Sequence, residues 1–308
     1  MDIFSNAEKY IKDNFPSSVI LRDEPLKKHT SFKIGGCVPM LIIPESTKAI
    51  ADIYTYFKAN GVTPLVIGNG TNILAEDCDL PFPVIKTHGK AESIRLISET
   101  EIEVDCGATL AQAAVFAMKH GLTGMEFAHG IPGSLGGAVY MNAGAYGGEM
   151  AHIVTKTIAL GDCGIYEVNG SAHDFSYRHS VFSEKNDIIL SSVLKLEKGD
   201  TAEISAKMDE LAAKRRASQP LNMPSAGSTF KRPANGYAAA MIDSCGLKGF
   251  TAGDAQVSEK HAGFVVNCGS ATFSDVMDVI EHVRNTVYQK LDTHLETEVK
   301  IIDRNYRG

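Results

Sequence analysis

Hydrophobic positions in the first 200 residues follow two patterns: short apolar runs, and longer segments with apolar residues three or four positions apart. Short runs are typical of buried strands, and the wider spacing is typical of amphipathic helices. Ile50, Ile53 and Phe57 show the helical spacing. Thr47 is suited to begin this helix and Gly61 to end it. The patterns predict helices over 48–60 and 110–120, and strands over 40–43, 64–67, 84–87, 94–97, 102–106, 153–160 and 188–196.

The last hundred or so residues have their own succession of elements. An amphipathic helix over 202–217 ends in Lys214, Arg215 and Arg216, basic residues that suit the negative end of a helix. A loop rich in Gly, Pro and Ser follows it. The chain is therefore predicted to be α+β with mixed sheets, and this helix is the expected hinge between two units. Further elements are predicted as helices over 238–245 and 274–291 and strands over 263–267 and 298–302.

Composition limits the class of protein. The 308 residues carry 30 Lys and Arg against 37 Asp and Glu, a net charge of −7. This charge argues against nucleic acid as the main partner, because phosphate binding needs a basic surface. No apolar run approaches the ~20 residues of a membrane span, and the N-terminal residues lack the pattern of a signal peptide. We expect a cytoplasmic protein that binds no membrane.

Cysteine and histidine positions show no spacing typical of a bound metal. The six cysteines are scattered, with neighbouring ones at least 23 positions apart. The ten histidines form no H-E-x-x-H motif and no cluster with cysteine. We therefore expect reduced thiols without disulfides, and no metal site.

A first glycine loop follows the predicted strand over 64–67. Two glycines with Asn and Thr can present successive backbone N–H groups to an anion, because no Cβ stands in the way. The loop is neither a G-x-G-x-x-G motif nor a P-loop, and an ordinary tight turn is the alternative. Its candidate cofactor-binding residues are Gly68, Asn69, Gly70, Thr71 and Asn72.

A second glycine-rich stretch over 130–148 contains seven of the 28 glycines. Small residues allow the backbone to lie close to a planar ligand that bears phosphates, and N–H groups over 134–137 are available for pyrophosphate oxygens at a helix start. The alternative is a close crossing of a helix and a sheet. Two such loops in one chain favour a bound dinucleotide. The candidates are Gly130, Ile131, Pro132, Gly133, Ser134, Gly136, Gly137, Ala138, Asn142, Gly144 and Ala145.

These two loops resemble the flavin-binding loops of the FAD proteins of the vanillyl-alcohol-oxidase type. Together with segments 29–36 and 295–302, they make most of the chain resemble the UDP-N-acetylenolpyruvoylglucosamine reductase family. The resemblance implies an α+β FAD-binding region of the vanillyl-alcohol-oxidase/PCMH type over 1–200, with two α+β subdomains of about 1–88 and 89–200. It implies a C-terminal α+β substrate-binding domain over 201–308. A monomer is favoured.

The resemblance also implies a reaction and three catalytic residues. NADPH reduces bound FAD, and hydride then passes from flavin N5 to the vinyl carbon of UDP-N-acetylglucosamine enolpyruvate. Arg178 matches the arginine that pairs with the substrate carboxylate, and Ser228 matches the proton donor. Glu298 matches a residue that stabilises the enolate, a role that would need a raised pKa if the carboxyl is protonated. Alternation along the last strand predicts Glu298 on the face opposite Val299 and Ile301, directed into a cleft.

Substrate contacts are expected in the C-terminal unit. The chain resembles the branch of the family without an inserted Tyr-bearing loop, because only 50 positions separate Arg178 from Ser228. Arg232 stands where the longer branch has Asn. The residues that match the family's substrate domain are Lys231, Arg232, Gln256, Ser258, Lys260 and His261.

Two other functions stay open at this point. One is a flavin oxidase of the same FAD fold that acts on an alcohol or lactone; the glycine loops fit it and the C-terminal unit does not. The other is a UDP-sugar-binding protein that has lost its flavin, against which the intact glycine loops argue.

Overall fold

A computed structural model describes residues 3–306. Its α-helices are α1 (Ile3–Asn14), α2 (Thr47–Ala59), α3 (Leu110–Lys119), α4 (Leu135–Tyr140), α5 (Val181–Lys185), α6 (Thr201–Ser218), α7 (Ala238–Ser244) and α8 (Phe273–Leu291). Its strands are β1 (Val19–Pro25), β2 (Cys37–Ile43), β3 (Leu65–Ile67), β4 (Ile73–Ala75), β5 (Val84–Lys86), β6 (Ile94–Ser98), β7 (Glu101–Asp105), β8 (Leu122–Thr123), β9 (Gly144–Ala145), β10 (Gly148–Glu149), β11 (Val154–Gly161), β12 (Gly164–Asn169), β13 (Ile188–Lys195), β14 (Glu197–Lys198), β15 (Thr251–Ala252), β16 (Ala255–Val257), β17 (Val265–Asn267) and β18 (Lys300–Ile302).

Three sheets carry most of the fold. A four-stranded sheet has the order β1-β2-β5-β3, in which β1 and β2 are antiparallel and the other pairs are parallel. A five-stranded antiparallel sheet has the order β12-β11-β13-β7-β6, and a three-stranded sheet in the C-terminal part has the order β15-β16-β17. The prediction of an α+β chain with mixed sheets is confirmed.

Most long elements lie where the hydrophobic pattern predicts them, and the ends differ. The N-cap of α2 is Ser46 and not Thr47, since the Ser46 hydroxyl accepts a hydrogen bond from the Ala49 N–H at 3.2 Å. Strands β1 and β12 were not predicted. Both lie at the edge of a sheet, where polar residues replace the apolar pattern of a buried strand.

The last strand starts later than predicted. The prediction of a strand from 298 is wrong, because the Glu298 N–H donates to the carbonyl of Thr229 at 2.8 Å and β18 begins only at Lys300. The predicted alternation ends at Val299, which is buried; beyond it Ile301 is exposed and Ile302 is buried. Between 298 and 300 the segment changes its hydrogen-bond partner from the Thr229 loop to β4. The alternation of buried and exposed side chains shifts by one position at this change.

The two units share their cores. Phe32, Ile34 and Leu74 from the first unit pack in the core of the C-terminal part. In the other direction, Ile302 packs in the core beneath the four-stranded sheet. Strand β18 pairs in parallel with β4, so the end of the chain returns to the first unit. The catalytic candidates therefore lie where the two units are interlocked.

Helix α6 packs with the first unit. Its buried Ile204 and Met208 belong to the largest core, which also contains Leu110 and Ala114 of α3. The division into 1–200 and 201–308 stays a prediction, and this packing favours counting α6 with the first unit.

Two further expectations concern the whole chain. The six cysteines form no disulfide within the described part of the chain, and their reduced state in the cell stays a prediction. Of the helices between residues 3 and 306, none has both the length and the apolar content needed to cross a bilayer.

Candidate active site

A deep cleft of about 970 Å³ lies between the two units. Both glycine loops line it, and so do Arg178, Ser228 and Glu298. A smaller cavity of about 290 Å³ shares Arg178 and Glu298 with it. The structure thus brings the three predicted catalytic residues to one place, although they are far apart in the chain.

The first glycine loop connects β3 to β4 and lines the cleft. Within residues 3–306, none of the five N–H groups from Gly68 to Asn72 donates a hydrogen bond to a protein acceptor. Gly70 has a φ of +63°, and a Cβ there would lie 2.1 Å from the carbonyl oxygen of His29. A run of free N–H groups in a cleft is a site for an anion such as a pyrophosphate.

The second loop is only partly available to a ligand. Two of the predicted free donors are already used: Leu135 N–H donates to Ala108 at 2.8 Å, and Gly136 N–H donates to Cys106 at 2.9 Å. A Cβ on Gly136 would lie 3.0 Å from the Cβ of Cys106. For these two residues the prediction of ligand-binding N–H groups is wrong, and the close crossing of helix and sheet explains the glycine.

Other positions of the second loop do face open space. A Cβ on Gly133 would meet no protein atom nearer than 3.8 Å, and one on Gly137 none nearer than 3.7 Å. The hydroxyl of Ser134 is buried and has no hydrogen-bond partner among the described residues. A Cβ on Gly68 would lie 2.0 Å from this hydroxyl, so the two loops are in direct contact. These residues fit a phosphate-bearing ligand laid across both loops.

Asn142 differs from the other loop candidates. Its side-chain amide donates to Ser176 O at 3.1 Å and accepts from Ala151 N–H at 2.9 Å. Gly144 and Ala145 line the cleft, whereas Asn142 is buried beside it. The structure gives Asn142 the role of holding the loop, and a direct contact with a cofactor stays a prediction.

Glu298 is held between two loops by backbone hydrogen bonds. Its N–H donates to Thr229 O at 2.8 Å, and its carbonyl accepts from the Asn72 side chain at 3.2 Å. Two residues later, Lys300 N–H donates to Asn72 O at 2.9 Å. The same short segment therefore contacts the first glycine loop and the loop that carries Ser228.

Arg178 and Glu298 form a close ion pair. Arg178 Nε lies 2.6 Å from Glu298 Oε1, and the side chains are 21% and 12% exposed. Arg178 has a φ of +56°, a strained conformation for a residue with a side chain, and its guanidinium lies 5.0 Å from the centre of the Tyr177 ring. Burial raises the pKa of Glu298, although Arg178 and Lys231 both act to lower it.

The hydroxyl of Ser228 faces the cleft and has no protein hydrogen bond within residues 3–306. Gly227 before it has a φ of +77°, which turns the loop. Thr229 after it is buried, and its hydroxyl accepts from Val265 N–H at 3.0 Å. The loop is anchored on either side of Ser228 while the serine hydroxyl stays available.

Comparison with known proteins identifies the family. A family model described as the C-terminal domain of UDP-N-acetylenolpyruvoylglucosamine reductase matches residues 219–302, and an FAD-binding-domain model matches residues 38–163. UDP-N-acetylenolpyruvoylglucosamine reductase from Caldanaerobacter subterraneus is 42% identical over 95% of this chain and 96% of its own. The chain belongs to the UDP-N-acetylenolpyruvoylglucosamine reductase family. The family member from Pediococcus pentosaceus is 43% identical over 96% of this chain and 98% of its own.

Solved structures agree with this assignment. The crystal structure of the family member from Thermus caldophilus has a TM-score of 0.78 and 31% identity, and it covers 92% of this chain and 98% of that one. An alkyldihydroxyacetonephosphate synthase has a TM-score of 0.51 at 15% identity over 64% of this chain and 41% of its own, which shows the FAD-binding fold alone. The chain is a flavoprotein oxidoreductase with FAD as its cofactor, and the predicted PCMH-type region with a C-terminal domain is confirmed.

Two of the predicted substrate contacts lie near the reductase cleft. Lys231 lines the smaller cavity and forms an ion pair with Glu296 at 3.1 Å. Arg232 donates its backbone N–H to the Tyr177 hydroxyl at 3.0 Å, and its guanidinium lies 4.0 Å from the centre of the Tyr237 ring. Arg232 thus joins two exposed tyrosines beside Arg178.

The other four predicted substrate contacts lie outside both cavities. Ser258 is buried, and its hydroxyl accepts from the N–H groups of Lys260 and His261 at 3.2 and 3.3 Å. Lys260 Nζ donates to Arg216 O at 2.6 Å, and Gln256 accepts a weak hydrogen bond from Cys268 Sγ at 3.8 Å. The contacts of Ser258 and Gln256 lie within the C-terminal domain of the reductase, and the contact of Lys260 joins that domain to α6. Direct contact with substrate stays a prediction.

Several residues of the cleft were not singled out by the sequence as ligands. Lys33, Arg215, Gln219 and Lys300 all line it. The charge of Arg215 was explained as a favourable helix end, and Gln219 lies in a loop without a recognisable motif. No local sequence pattern indicates that Arg215 or Gln219 lines the cleft with the flavin loops.

Three residues next to Arg178 bring ligand-type atoms within 4.8 Å of one another: Asp174, His179 and Glu184. Both carboxylates are exposed to solvent. Exposed groups of this kind commonly approach one another without a cation, so the expectation that the reductase uses no metal stays a prediction.

Proposed function

We propose that the chain reduces UDP-N-acetylglucosamine enolpyruvate to UDP-N-acetylmuramate with NADPH and bound FAD, as a step of peptidoglycan precursor synthesis. The observation that carries the proposal is the convergence of Arg178, Ser228 and Glu298 on the cleft that contains the flavin loops. The curated relatives are named for reduction of an enolpyruvyl UDP-sugar. A cytoplasmic location is part of the proposal.

FAD, when bound, supplies the hydride that it has received from NADPH. The free N–H groups over 68–72 would hold its pyrophosphate, with the open face at Gly133 and Gly137 beside it. Asn72 belongs to this loop and is hydrogen-bonded to the Glu298 segment, so the loop that would hold the pyrophosphate also positions the catalytic segment. A ligand that fills the cleft would displace water from it, which would strengthen each electrostatic contact inside it.

Arg178 binds the substrate carboxylate in this proposal. A guanidinium suits that task because it stays charged and can grip two oxygens at once. Its Nε now binds Glu298, so an incoming carboxylate competes with Glu298 for the same cation. Loss of this partner would leave Glu298 buried and raise its pKa further, which favours the neutral acid. A neutral Glu298 can then donate a hydrogen bond to the enolate oxygen as charge develops.

Ser228 donates a proton to carbon. A hydroxyl is a weak acid, and it serves only where the accepting carbanion is strongly basic. The Ser228 hydroxyl has no protein acceptor within the described chain, and the anchored residues around it limit its movement. Protonation of the carbon next to the carboxylate completes the lactyl ether.

A spectrum under anaerobic conditions tests the function. The purified protein is expected to show flavin absorption, to bleach with NADPH and to recover its colour with the enolpyruvyl UDP-sugar. Recovery with oxygen only, together with bleaching by an alcohol, would favour the flavin oxidase. A colourless protein that binds the UDP-sugar after exposure to FAD would favour the flavin-free binding protein.

The Glu298 pair predicts how substrate affinity depends on pH. Substrate binding at Arg178 raises the pKa of Glu298, so binding takes up a proton at pH values between the two pKa values of Glu298 in the free and bound protein. In that range, affinity is expected to fall about tenfold for each unit of rising pH. Calorimetry of substrate binding to the oxidised protein in two buffers of different ionisation enthalpy measures both quantities.

Glu298→Gln is the control for this pH dependence. The amide cannot ionise, so proton uptake and the pH slope are expected to disappear in this variant. An unchanged slope in Glu298→Gln would show that another group takes up the proton. Absence of proton uptake in the wild-type protein would rule out competition between Glu298 and the substrate for Arg178.

A further inference from the structure

The last turn of α6 carries an arginine that lines the flavin cleft. Arg215 lines the cleft, and its Nε is buried with no hydrogen-bond partner among the described residues. Within residues 3–306 it forms no ion pair with a carboxylate, whereas most of the other arginines do. Burial lowers the pKa of Arg215. Leaving a buried donor of a charged group unpaired is costly, so the site is built for an acceptor that a ligand brings.

A second unpaired atom lies one helical turn away. Gln219 caps α6, and its N–H donates to Arg215 O at 2.9 Å. Its side-chain Oε1 is buried, has no partner in the described part of the chain, and belongs to a residue that lines the same cleft. The end of α6 therefore carries one donor and one acceptor, four positions apart in the chain, that have no partner among the described residues.

The other residues of the cleft indicate which part of FAD Arg215 and Gln219 contact. The pyrophosphate has the five free N–H groups of the first loop. From Gln219 to Ser228 every residue lines the cleft, so the pair is continuous with the loop that carries the proton donor. The reacting end of the flavin must reach Ser228. A neighbouring donor and acceptor match the pyrimidine edge of the flavin ring, where C2=O accepts and N3–H donates.

We propose that Arg215 and Gln219 bind the pyrimidine edge of the FAD ring, with Arg215 donating to the N1–C2=O side and Gln219 Oε1 accepting from N3–H. Bound FAD is the cofactor of the family; the assignment of the ring end rests on the proposed function through Ser228. Negative charge gathers at N1 when the ring is reduced. A cation there stabilises the reduced form more than the oxidised form, and charge near N1 is a means by which proteins adjust flavin electronics.

The reduction potential of bound FAD tests the proposal without turnover. Arg215→Met keeps an unbranched apolar stem and removes the guanidinium group with its charge and its donors. We expect its preference for reduced over oxidised flavin to fall about tenfold, which lowers the two-electron midpoint potential by about 30 mV. We also expect the affinity of the apoprotein for riboflavin, which has the ring and no phosphate, to fall by the same factor as its affinity for FAD.

Arg216→Met is the matched control, because Arg216 is the neighbouring residue and its side chain is exposed. Its potential is expected to equal that of the wild-type protein. Arg215→Met could weaken the binding of FAD and leave both the binding of riboflavin and the reduction potential unchanged. In that case Arg215 binds the pyrophosphate, and the proposal is overturned. An Arg215→Met protein unchanged in all three measurements overturns it as well.

Gln219→Leu covers the case in which Arg215→Met does not fold. In this variant the affinities for FAD and for riboflavin are expected to fall by equal factors. The reduction potential is expected to change little, because no charge is lost. Equal affinities in Gln219→Leu and wild type would overturn the assignment of N3–H. A wild-type protein that binds FAD without reducing an enolpyruvyl sugar would contradict the proposed function and leave these binding results to stand by themselves.

Discussion

Ser228→Ala is expected to slow reoxidation of reduced flavin by the enolpyruvyl UDP-sugar by about 10²- to 10⁴-fold, the usual contribution of a general acid. The substitution removes the hydroxyl that faces the cleft and leaves the anchored backbone of Thr229 in place. Flavin reduction by NADPH needs no proton on the substrate carbon, so its rate is expected to stay near that of the wild-type protein. Stopped-flow absorbance of each half-reaction separates the two steps.

Ser225→Ala is the matched control for this experiment. Ser225 lies in the same loop and lines the same cleft, and Ser31 binds its backbone carbonyl rather than its side chain. Both half-reactions are expected to be unchanged in this variant. Equal slowing of NADPH oxidation and substrate reduction in Ser228→Ala would point to a disturbed flavin site instead of a lost proton donor. Wild-type reoxidation in Ser228→Ala would remove the proton-donor role.

Gly70→Ala is expected to weaken FAD binding by about 100-fold, equivalent to about 2.7 kcal/mol. The residue has a φ of +63°, and its new Cβ would lie 2.1 Å from His29 O, so the backbone of the loop must move. Movement of the loop misaligns N–H groups that would each contribute about 1.5–3 kcal/mol to binding a charged phosphate. The flavin content of the purified protein and fluorescence titration of the apoprotein with FAD measure the loss.

Gly61→Ala separates backbone strain from loss of the site. Gly61 has a φ of +75°, and a Cβ there meets no atom within 4 Å. We expect a modest loss of stability, of order 1–2 kcal/mol, with unchanged FAD affinity. Equal flavin loss in both variants would mean that general destabilisation is responsible, and full FAD affinity in Gly70→Ala would exclude the first loop as the pyrophosphate site.

Local pattern predicted the elements whose hydrophobic faces are buried. Helices α2, α3 and α8 lie within one or two residues of their predicted bounds, because each combines apolar spacing with a recognisable start or end. Strands β1 and β12 escaped prediction since edge strands bury little of their surface. The start of β18 was misplaced because a loop from another part of the chain occupies the hydrogen bonds of Glu298.

Local motifs were enough to indicate the family and to select the candidate site residues. Glycine loops and the Arg, Ser and Glu motifs are strings of neighbouring residues, and their chemistry can be read without a fold. This holds for the loop over 68–72, whose N–H groups donate to no protein acceptor within residues 3–306.

Which of these groups are available to a ligand depends on the packing of distant parts of the chain. The N–H groups of Leu135 and Gly136 donate to carbonyls just after β7. Arg178 forms an ion pair with a glutamate 120 positions away. Arg215 lines the flavin cleft, although its helix was expected to be a hinge. A hydrogen bond or ion pair depends on the position of both partners. Where the partners are far apart in the chain, packing of the cores places them, and no local pattern encodes the result.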